Sequence, residues 1–182
     1  MELSSSLPVR ATLLRSARRL SRCATILAWL IPPLVVVQYL FFDDISTPYG
    51  MSSMLVGMEW SLTRRLLAAA VGLLPALAMM LALFALGRIC REYAAGRLFS
   101  DVVLAAFRRL GLVMVAATIL HWLHATLLGL ALSLTLPPGH RFVTVGVSSD
   151  DLLLALVTAV VFMLGSVMQV AQRVQSENAE IV

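Results

Sequence analysis

Residues 66–87 read LLAAAVGLLPALAMMLALFALG and contain no acidic or basic side chain. A helix of this length extends roughly 33 Å, which is enough to cross a bilayer core of roughly 30 Å. The chain contains three further charge-free stretches, at 23–42, 110–140 and 152–172. A soluble domain would show apolar residues in stripes rather than in unbroken blocks. The sequence therefore predicts an all-α integral membrane protein, a four-span antiparallel bundle.

The segments between these blocks are too short to fold separately. Hydrophobic residues make up 60% of the 182 residues and charged residues only 13%. Separate domains rarely fold below about 40 residues without disulfides or metals. We therefore expect one membrane domain over residues 1–182. Its predicted parts are a basic N-terminus at 1–22, spans at 23–42, 66–87, 110–136 and 152–172, a helical hairpin at 88–109 and a tail at 173–182.

The distribution of arginine predicts the orientation. All fourteen basic residues are arginine, and four crossings place eleven of them on one side and three on the other. The minority consists of Arg64, Arg65 and Arg141. The positive-inside rule then predicts that both termini and the hairpin lie in the cytoplasm. Because the arginines flank spans, we expect them to face anionic lipid of the bilayer and expect no direct binding of nucleic acid.

The second span is predicted to continue as a helix beyond the membrane. Residues 66–95 contain no strong helix breaker at their end, and Gly96 suits the position that follows a helix C-terminus. Ser100 is a good N-cap for the next helix, and Phe99 with Leu104 has the spacing of a hydrophobic staple. The sequence therefore predicts a tight helical hairpin.

The hairpin sequence resembles a known family. Residues 87–100 read GRICREYAAGRLFS, residues 108–111 read RRLG, and the tail carries an acidic Glu-Asn element at Glu177 and Asn178. This combination is similar to the bacterial four-span membrane family catalogued as domain of unknown function 2975. The resemblance implies a bacterial cytoplasmic (inner) membrane protein without established catalytic residues. Some relatives are encoded beside a small helix-turn-helix regulator, which implies a regulatory role with a cytoplasmic transcriptional regulator as partner.

Two histidines lie well inside the third span. His121 and His124 are three residues apart and share a helical face, and ionisable residues inside a membrane are candidates for function. Gln38 and Thr158 lie at similar depth when residues are counted from the span ends. We expect these four side chains to form a small polar layer. One interpretation is a neutral histidine pair that hydrogen-bonds between helices, and the other is a ligand-binding or pH-responsive site.

His121 also belongs to a stripe of small or polar residues at 117, 121, 125, 129 and 133. Such stripes let membrane helices approach closely. We expect this face to point into the bundle, and the small-residue stripes are equally compatible with a homo-oligomer interface.

No recognisable chemistry of an enzyme or a cofactor site is present. The sequence has no nucleophile elbow, phosphate-binding loop or metal-ligand cluster. The four predicted spans contain no Asp or Glu, which argues against a proton relay. We expect a non-enzymatic protein without a metal or cofactor.

A second candidate surface combines the hairpin with the tail. Its predicted members are Arg88, Arg91, Glu92, Gly96, Arg97, Phe99, Ser100, Arg108, Arg109, Glu177 and Asn178. The tail residues are interpreted either as fixing the fourth helix to the hairpin or, with the arginines, as a docking platform for a soluble partner. The predicted function is therefore regulatory and based on interaction. The alternative is a small transporter or ligand-binding membrane protein that uses the polar layer.

Overall fold

Four long helices make up almost all of the described structure. The computed structural model describes residues 6–41, 60–97, 100–137, 143 and 145–180, and within these ranges the side chains from 14 to 174. The helices are α1 (Ser6–Phe41), α2 (Leu62–Ala94), α3 (Asp101–Ser133) and α4 (Ser149–Glu180), and no strand occurs in the described ranges. Each helix contains a segment long and apolar enough to cross a membrane. The all-α, four-span prediction is confirmed at this level.

Consecutive helices run antiparallel and pack side by side. α1 packs on α2, α2 on α3, and α3 on α4. Arg65 near the start of α2 bonds to Leu40 near the end of α1, and Asp101 at the start of α3 bonds to Gln172 late in α4. The molecule thus has two ends. We call the end where α2 runs into α3 the hairpin end, and the other the opposite end.

Small side chains bring α2 close to both of its neighbours. Its buried positions include Ala68, Ala76 and Ala82, as well as Gly72. A Cβ atom added at Gly72 would lie 2.5 Å from Cε2 of Tyr39, so glycine leaves the space that this ring on α1 needs. In a membrane, where lipid is as apolar as the protein, such close contacts supply much of the attraction between helices.

The predicted stripe on α3 is used within the chain. Residues Ala117, Ala125, Gly129 and Ser133 are all buried, and His121 is half-buried. This face therefore points into the bundle as expected.

Two hydrophobic clusters stabilise the two ends. At the hairpin end, Ile89 of α2 packs in a buried cluster with Ala106, Leu110 and Met114 of α3. At the opposite end, Tyr39 of α1 joins a buried cluster that includes Ala68, Ala69, Leu128 and Leu132. The buried faces of the hairpin helices continue to Ile89 and Ala106, beyond the charge-free stretches. The hairpin is therefore an extension of the bundle.

Helix α4 lies at the edge of the bundle and contacts α3. The Phe162 ring of α4 lies over Gly111 of α3. A Cβ atom added at Gly111 would be 3.2 Å from Cζ of this ring. The glycine of the RRLG segment thus leaves room for a contact between helices. Leu156, Met163 and Val170 are each more than 60% exposed, which in a membrane is a surface for lipid.

Candidate functional site

Helix α2 ends at the hairpin in a glycine C-cap. Gly96 has a φ of +77°, in the left-handed region that glycine adopts without strain. The Arg97 amide donates to the Glu92 carbonyl at 3.1 Å, and the Gly96 amide donates to the Tyr93 carbonyl at 3.0 Å. These two bonds define a Schellman motif, so the predicted role of Gly96 is confirmed.

The start of α3 is capped as the sequence predicts. The Ser100 hydroxyl accepts a hydrogen bond from the Val103 amide at 3.3 Å, which satisfies one of the free amides of the first turn. Phe99, the other half of the predicted staple, lies outside the described residues. Caps therefore satisfy backbone groups both at the end of α2 and at the start of α3.

One of the predicted arginines pairs with an acidic residue inside the hairpin. The Arg97 Nε donates to Oε2 of Glu92 at 2.7 Å. Glu92 lies beyond the charge-free stretch 66–87, and this hydrogen bond from Arg97 lowers the pKa of its carboxyl. The Arg97 guanidinium therefore already uses one of its donors on Glu92, within the hairpin itself.

The other four predicted arginines are exposed and fall on two faces. Arg88, Arg91 and Arg109 line a groove between α2 and α3, whereas Arg108 lines a smaller cleft between α3 and α4. Among the described side chains, none of these four has an acidic partner within ion-pair distance. Within the described part of the chain, the hairpin end thus presents basic groups that form no ion pair.

The fourth helix is attached to the hairpin by residues that the sequence did not single out. The Gln172 amide donates to Oδ1 of Asp101 at 2.7 Å. The backbone of Glu177 and Asn178 belongs to α4, but the side chains of both residues lie outside the described part. Their proposed contact with the hairpin stays a prediction.

Within the predicted polar layer, the histidines bind partners other than those expected. His124 Nε2 lies 3.2 Å from the Tyr39 hydroxyl of α1. Gln38 is exposed, and its side chain makes no hydrogen bond among the described residues. The Thr158 hydroxyl lies 3.0 Å from that of Thr118, so it connects α4 to α3 rather than to a histidine.

His121 faces an acid that the sequence interpretation left out. Its Nε2 lies 3.8 Å from Oδ1 of Asp151, a residue only 5% exposed. The other oxygen, Oδ2, accepts from the Ser148 amide at 2.7 Å, while the Ser148 hydroxyl accepts from the Asp151 amide. This reciprocal pair is a capping box for α4. Asp151 immediately precedes the charge-free stretch, and its position brings a carboxylate into the polar layer.

Two of the three arginines in the minority, Arg64 and Arg65, have structural partners at the opposite end. Arg65 donates from a terminal guanidinium nitrogen to the Leu40 carbonyl at 2.9 Å, and from Nε to the Trp60 carbonyl at 3.3 Å. Arg64 donates from Nε to the Thr135 hydroxyl at 2.9 Å. The carbonyls at a helix C-terminus lack intrahelical donors and carry partial negative charge. These arginines therefore join the ends of α1 and α3 to the start of α2.

The sequence model of the family described as "Protein of unknown function (DUF2975)" matches residues 58–182. The chain belongs to this family. The matched part contains α2, α3 and α4, and α1 precedes it. No curated protein and no solved structure matches the chain.

The described residues contain no metal-binding arrangement. No group of three or more His, Cys, Asp or Glu side chains lies close enough together there to hold a metal ion. Instead, His121 of α3 lies beside Asp151 of α4, and His124 of α3 lies within hydrogen-bond distance of Tyr39 of α1. The direct effect of these contacts is to connect α1, α3 and α4 near the opposite end.

Sequence reasoning missed three groups in these sites: Tyr39, Asp151 and Gln172. Tyr39 and Asp151 had detectable signals. A tyrosine near a span end carries a hydroxyl that seeks a partner when buried, and Ser148 with Asp151 has the spacing of a capping box. Gln172 carried no comparable signal, because an amide at the end of a charge-free stretch has many possible partners.

Proposed function

We propose that the protein is a non-enzymatic regulatory protein of the bacterial cytoplasmic membrane, oriented with the hairpin end in the cytoplasm. In this proposal it acts by binding a soluble protein at the hairpin tip, meaning residues 95–97 and Ser100, and at the adjacent face of α3. The observation that supports it is the pair of helix caps at Gly96 and Ser100, beside which Arg91 and Arg108 are exposed. Groups on capped helix ends are ordered before binding, which lowers the entropy cost of binding there.

The chemistry of the tip favours a partner with an acidic surface. Arg108 is exposed and has no acidic partner among the described side chains. Charged groups of this kind speed association and determine orientation more than they add affinity. The family resemblance suggests which class of partner to test, a cytoplasmic helix-turn-helix transcriptional regulator.

Photo-crosslinking in native membranes tests this function. A crosslinking amino acid replaces Ala95, an exposed residue of the turn, and captured proteins are identified and assayed for DNA binding. We expect one soluble DNA-binding protein, whose capture falls at least fivefold in the Arg108→Gln variant, a rim-charge effect of about 1 kcal/mol. Arg19→Gln, which removes an exposed arginine of α1, is the matched control and should leave capture unchanged. Crosslinks to lipid alone, or capture insensitive to Arg108, would reject the proposal.

A second candidate function, ligand binding or transport through the polar layer, has one observation in its favour. Asp151 places a buried carboxylate 3.8 Å from His121, so the layer contains both an acid and a base. Thermal unfolding with a panel of inorganic cations, amines and organic acids tests it. A ligand of this layer should raise the unfolding temperature of the wild type but not of the His121→Leu, His124→Leu double variant. Identical responses of the two proteins would eliminate this function.

A further inference from the structure

The groove between α2 and α3 is lined by arginines towards the hairpin turn and by apolar side chains farther along both helices. It has a volume of about 680 Å³ and opens at the hairpin end. Its basic lining consists of Arg88, Arg91 and Arg109, and its apolar lining includes Leu81, Phe84 and Val113. The volume falls in the range of about 300–1,000 Å³ that is typical of small-molecule sites.

The apolar groups of the groove lie deeper in the membrane than its arginines. Arg88 directly follows the charge-free stretch 66–87, and Arg109 directly precedes the stretch that begins at 110. Both arginines therefore lie where hydrocarbon gives way to headgroups. Leu81 is seven residues before Arg88, which is about 10 Å deeper along α2, and Val113 is about 6 Å deeper than Arg109 along α3.

The apolar part of the groove is built by small residues beside a supported ring. Ala85, Ala105 and Ala106 line it without filling it. Phe84 forms part of the wall, and its ring meets the Trp29 ring of α1 edge-on with centroids 5.8 Å apart. Helix α1 therefore supports one wall of a groove that α2 and α3 line.

The charge of the groove is positive after its acid is counted. Three arginines and one aspartate, Asp101, give a formal charge of +2 (three minus one). The Asp101 carboxylate also accepts the hydrogen bond from Gln172. No described acidic side chain lies within ion-pair distance of the three arginines, although Glu92 acts on Arg88 and Arg91 from farther away. Their donors are therefore available to an external anion.

We propose that this groove is a binding site for one anionic phospholipid of the leaflet next to the hairpin end. Its phosphate lies among Arg88, Arg91 and Arg109, because guanidinium groups bind phosphate oxygens through charge-assisted hydrogen bonds. One acyl chain lies along Leu81, Phe84 and Val113. The site uses a different face of α3 from that of Arg108, so the proposal stands independently of the function proposed above.

Lipid binding to the purified, delipidated protein in a neutral detergent tests the site. The probes are phosphatidylglycerol and phosphatidylcholine with identical oleoyl chains, and bound lipid is counted by native mass spectrometry. We expect the wild type to prefer phosphatidylglycerol by about thirtyfold, given a net charge of +2 near the headgroup. In the Arg88→Gln, Arg91→Gln, Arg109→Gln triple variant, the preference should fall to about twofold or less.

Two further variants and a soluble competitor keep the test decisive. The Arg15→Gln, Arg18→Gln, Arg19→Gln triple variant removes the same charge from α1 and should keep the preference. Ala105→Trp fills the groove without changing its charge and should reduce binding of both lipids, even if the arginine variant fails to fold as judged by circular dichroism. Glycerol phosphate lacks acyl chains and should not compete.

Three outcomes would overturn the proposal. These are an undiminished preference in the groove variant, an equal loss in the α1 variant, and full competition by glycerol phosphate. If the groove arginines instead proved necessary for capture of a soluble protein but not for lipid selectivity, they would belong to a protein interface and the lipid site would be rejected.

Discussion

The two ends of the bundle use arginine in opposite ways. At the opposite end, Arg64 and Arg65 donate to groups of α1 and α3 and hold those helices to α2. At the hairpin end, Arg88, Arg91, Arg108 and Arg109 are exposed without an acidic partner among the described side chains. Apart from Arg97, which pairs with Glu92, arginine is therefore structural at one end and available for binding at the other. The difference teaches that an arginine near a span end is interpretable only together with the helix termini that surround it.

Among the variants that test this comparison, Arg65→Ala should lose the most stability. Loss of the hydrogen bonds to the Leu40 and Trp60 carbonyls should lower the free energy of unfolding by about 2–3 kcal/mol, because these bonds involve a charged donor. Arg108→Ala at the hairpin end is the control and should stay within about 0.5 kcal/mol of the wild type. Denaturant unfolding in detergent measures both. Equal losses of unfolding free energy in the two variants would contradict the proposed difference between the two ends.

The next largest loss of stability is expected at the close contact between Gly72 of α2 and Tyr39 of α1. In Gly72→Ala the new methyl group meets the Tyr39 ring, and overpacking of this kind should cost about 1–2 kcal/mol. The cost should shrink when Tyr39 is first replaced by valine, because the obstructing ring is then gone. A double-mutant cycle on unfolding free energies checks this coupling. Additive effects would contradict the contact.

At the hairpin tip, Gly96→Ala should cost about 1 kcal/mol through backbone strain at positive φ. Apart from its chain neighbours, no described residue has an atom within 4 Å of a Cβ built at this position, so the expected cost is assigned to strain and not to a clash. Gly96→Asn, which tolerates the left-handed region better, should lose less. Unfolding of the two variants side by side distinguishes strain from packing, since packing would penalise the larger asparagine more.

The smallest effect concerns the Glu92–Arg97 pair. Because the folded-state pKa of Glu92 is lowered, its contribution to stability is present above the ordinary carboxyl pKa and is lost as the pH falls through the lowered value. Arg97→Ala should raise the pKa of Glu92 towards its ordinary value. Carbon NMR of the Glu92 carboxyl during an acid titration measures the shift. An unchanged titration would show that the pair does not persist in solution.

Local features of the site were predictable, and long-range pairs were not. Gly96 and Ser100 act on backbone groups within four residues, so their caps follow from sequence spacing alone. The Tyr39–His124 pair joins residues 85 positions apart, and one face of a helix offers many candidates for such a partner. Gln38 was selected by depth, but it lies on the exposed side of α1 because depth does not specify rotation about the helix axis.

The same reasoning explains how the fold was predicted and where its limits lay. Unbroken apolar blocks identify the four spans because a bilayer requires a minimum helix length. They do not define helix ends, since Arg64, Arg65 and the segment 101–109 all lie inside helices although they fall outside the charge-free blocks. Asp151 was excluded from the polar layer because it lies one residue outside the block that begins at 152.

The side-by-side order of the helices has a consequence for biosynthesis. Because each helix packs on the one made just before it, every newly inserted span finds its partner already in the membrane. Contacts close in sequence form quickly and require little loop ordering. Assembly can therefore proceed in the order of translation. Helix α4 then docks last, guided at one end by the Gln172–Asp101 bond and at the other by Asp151 beside His121.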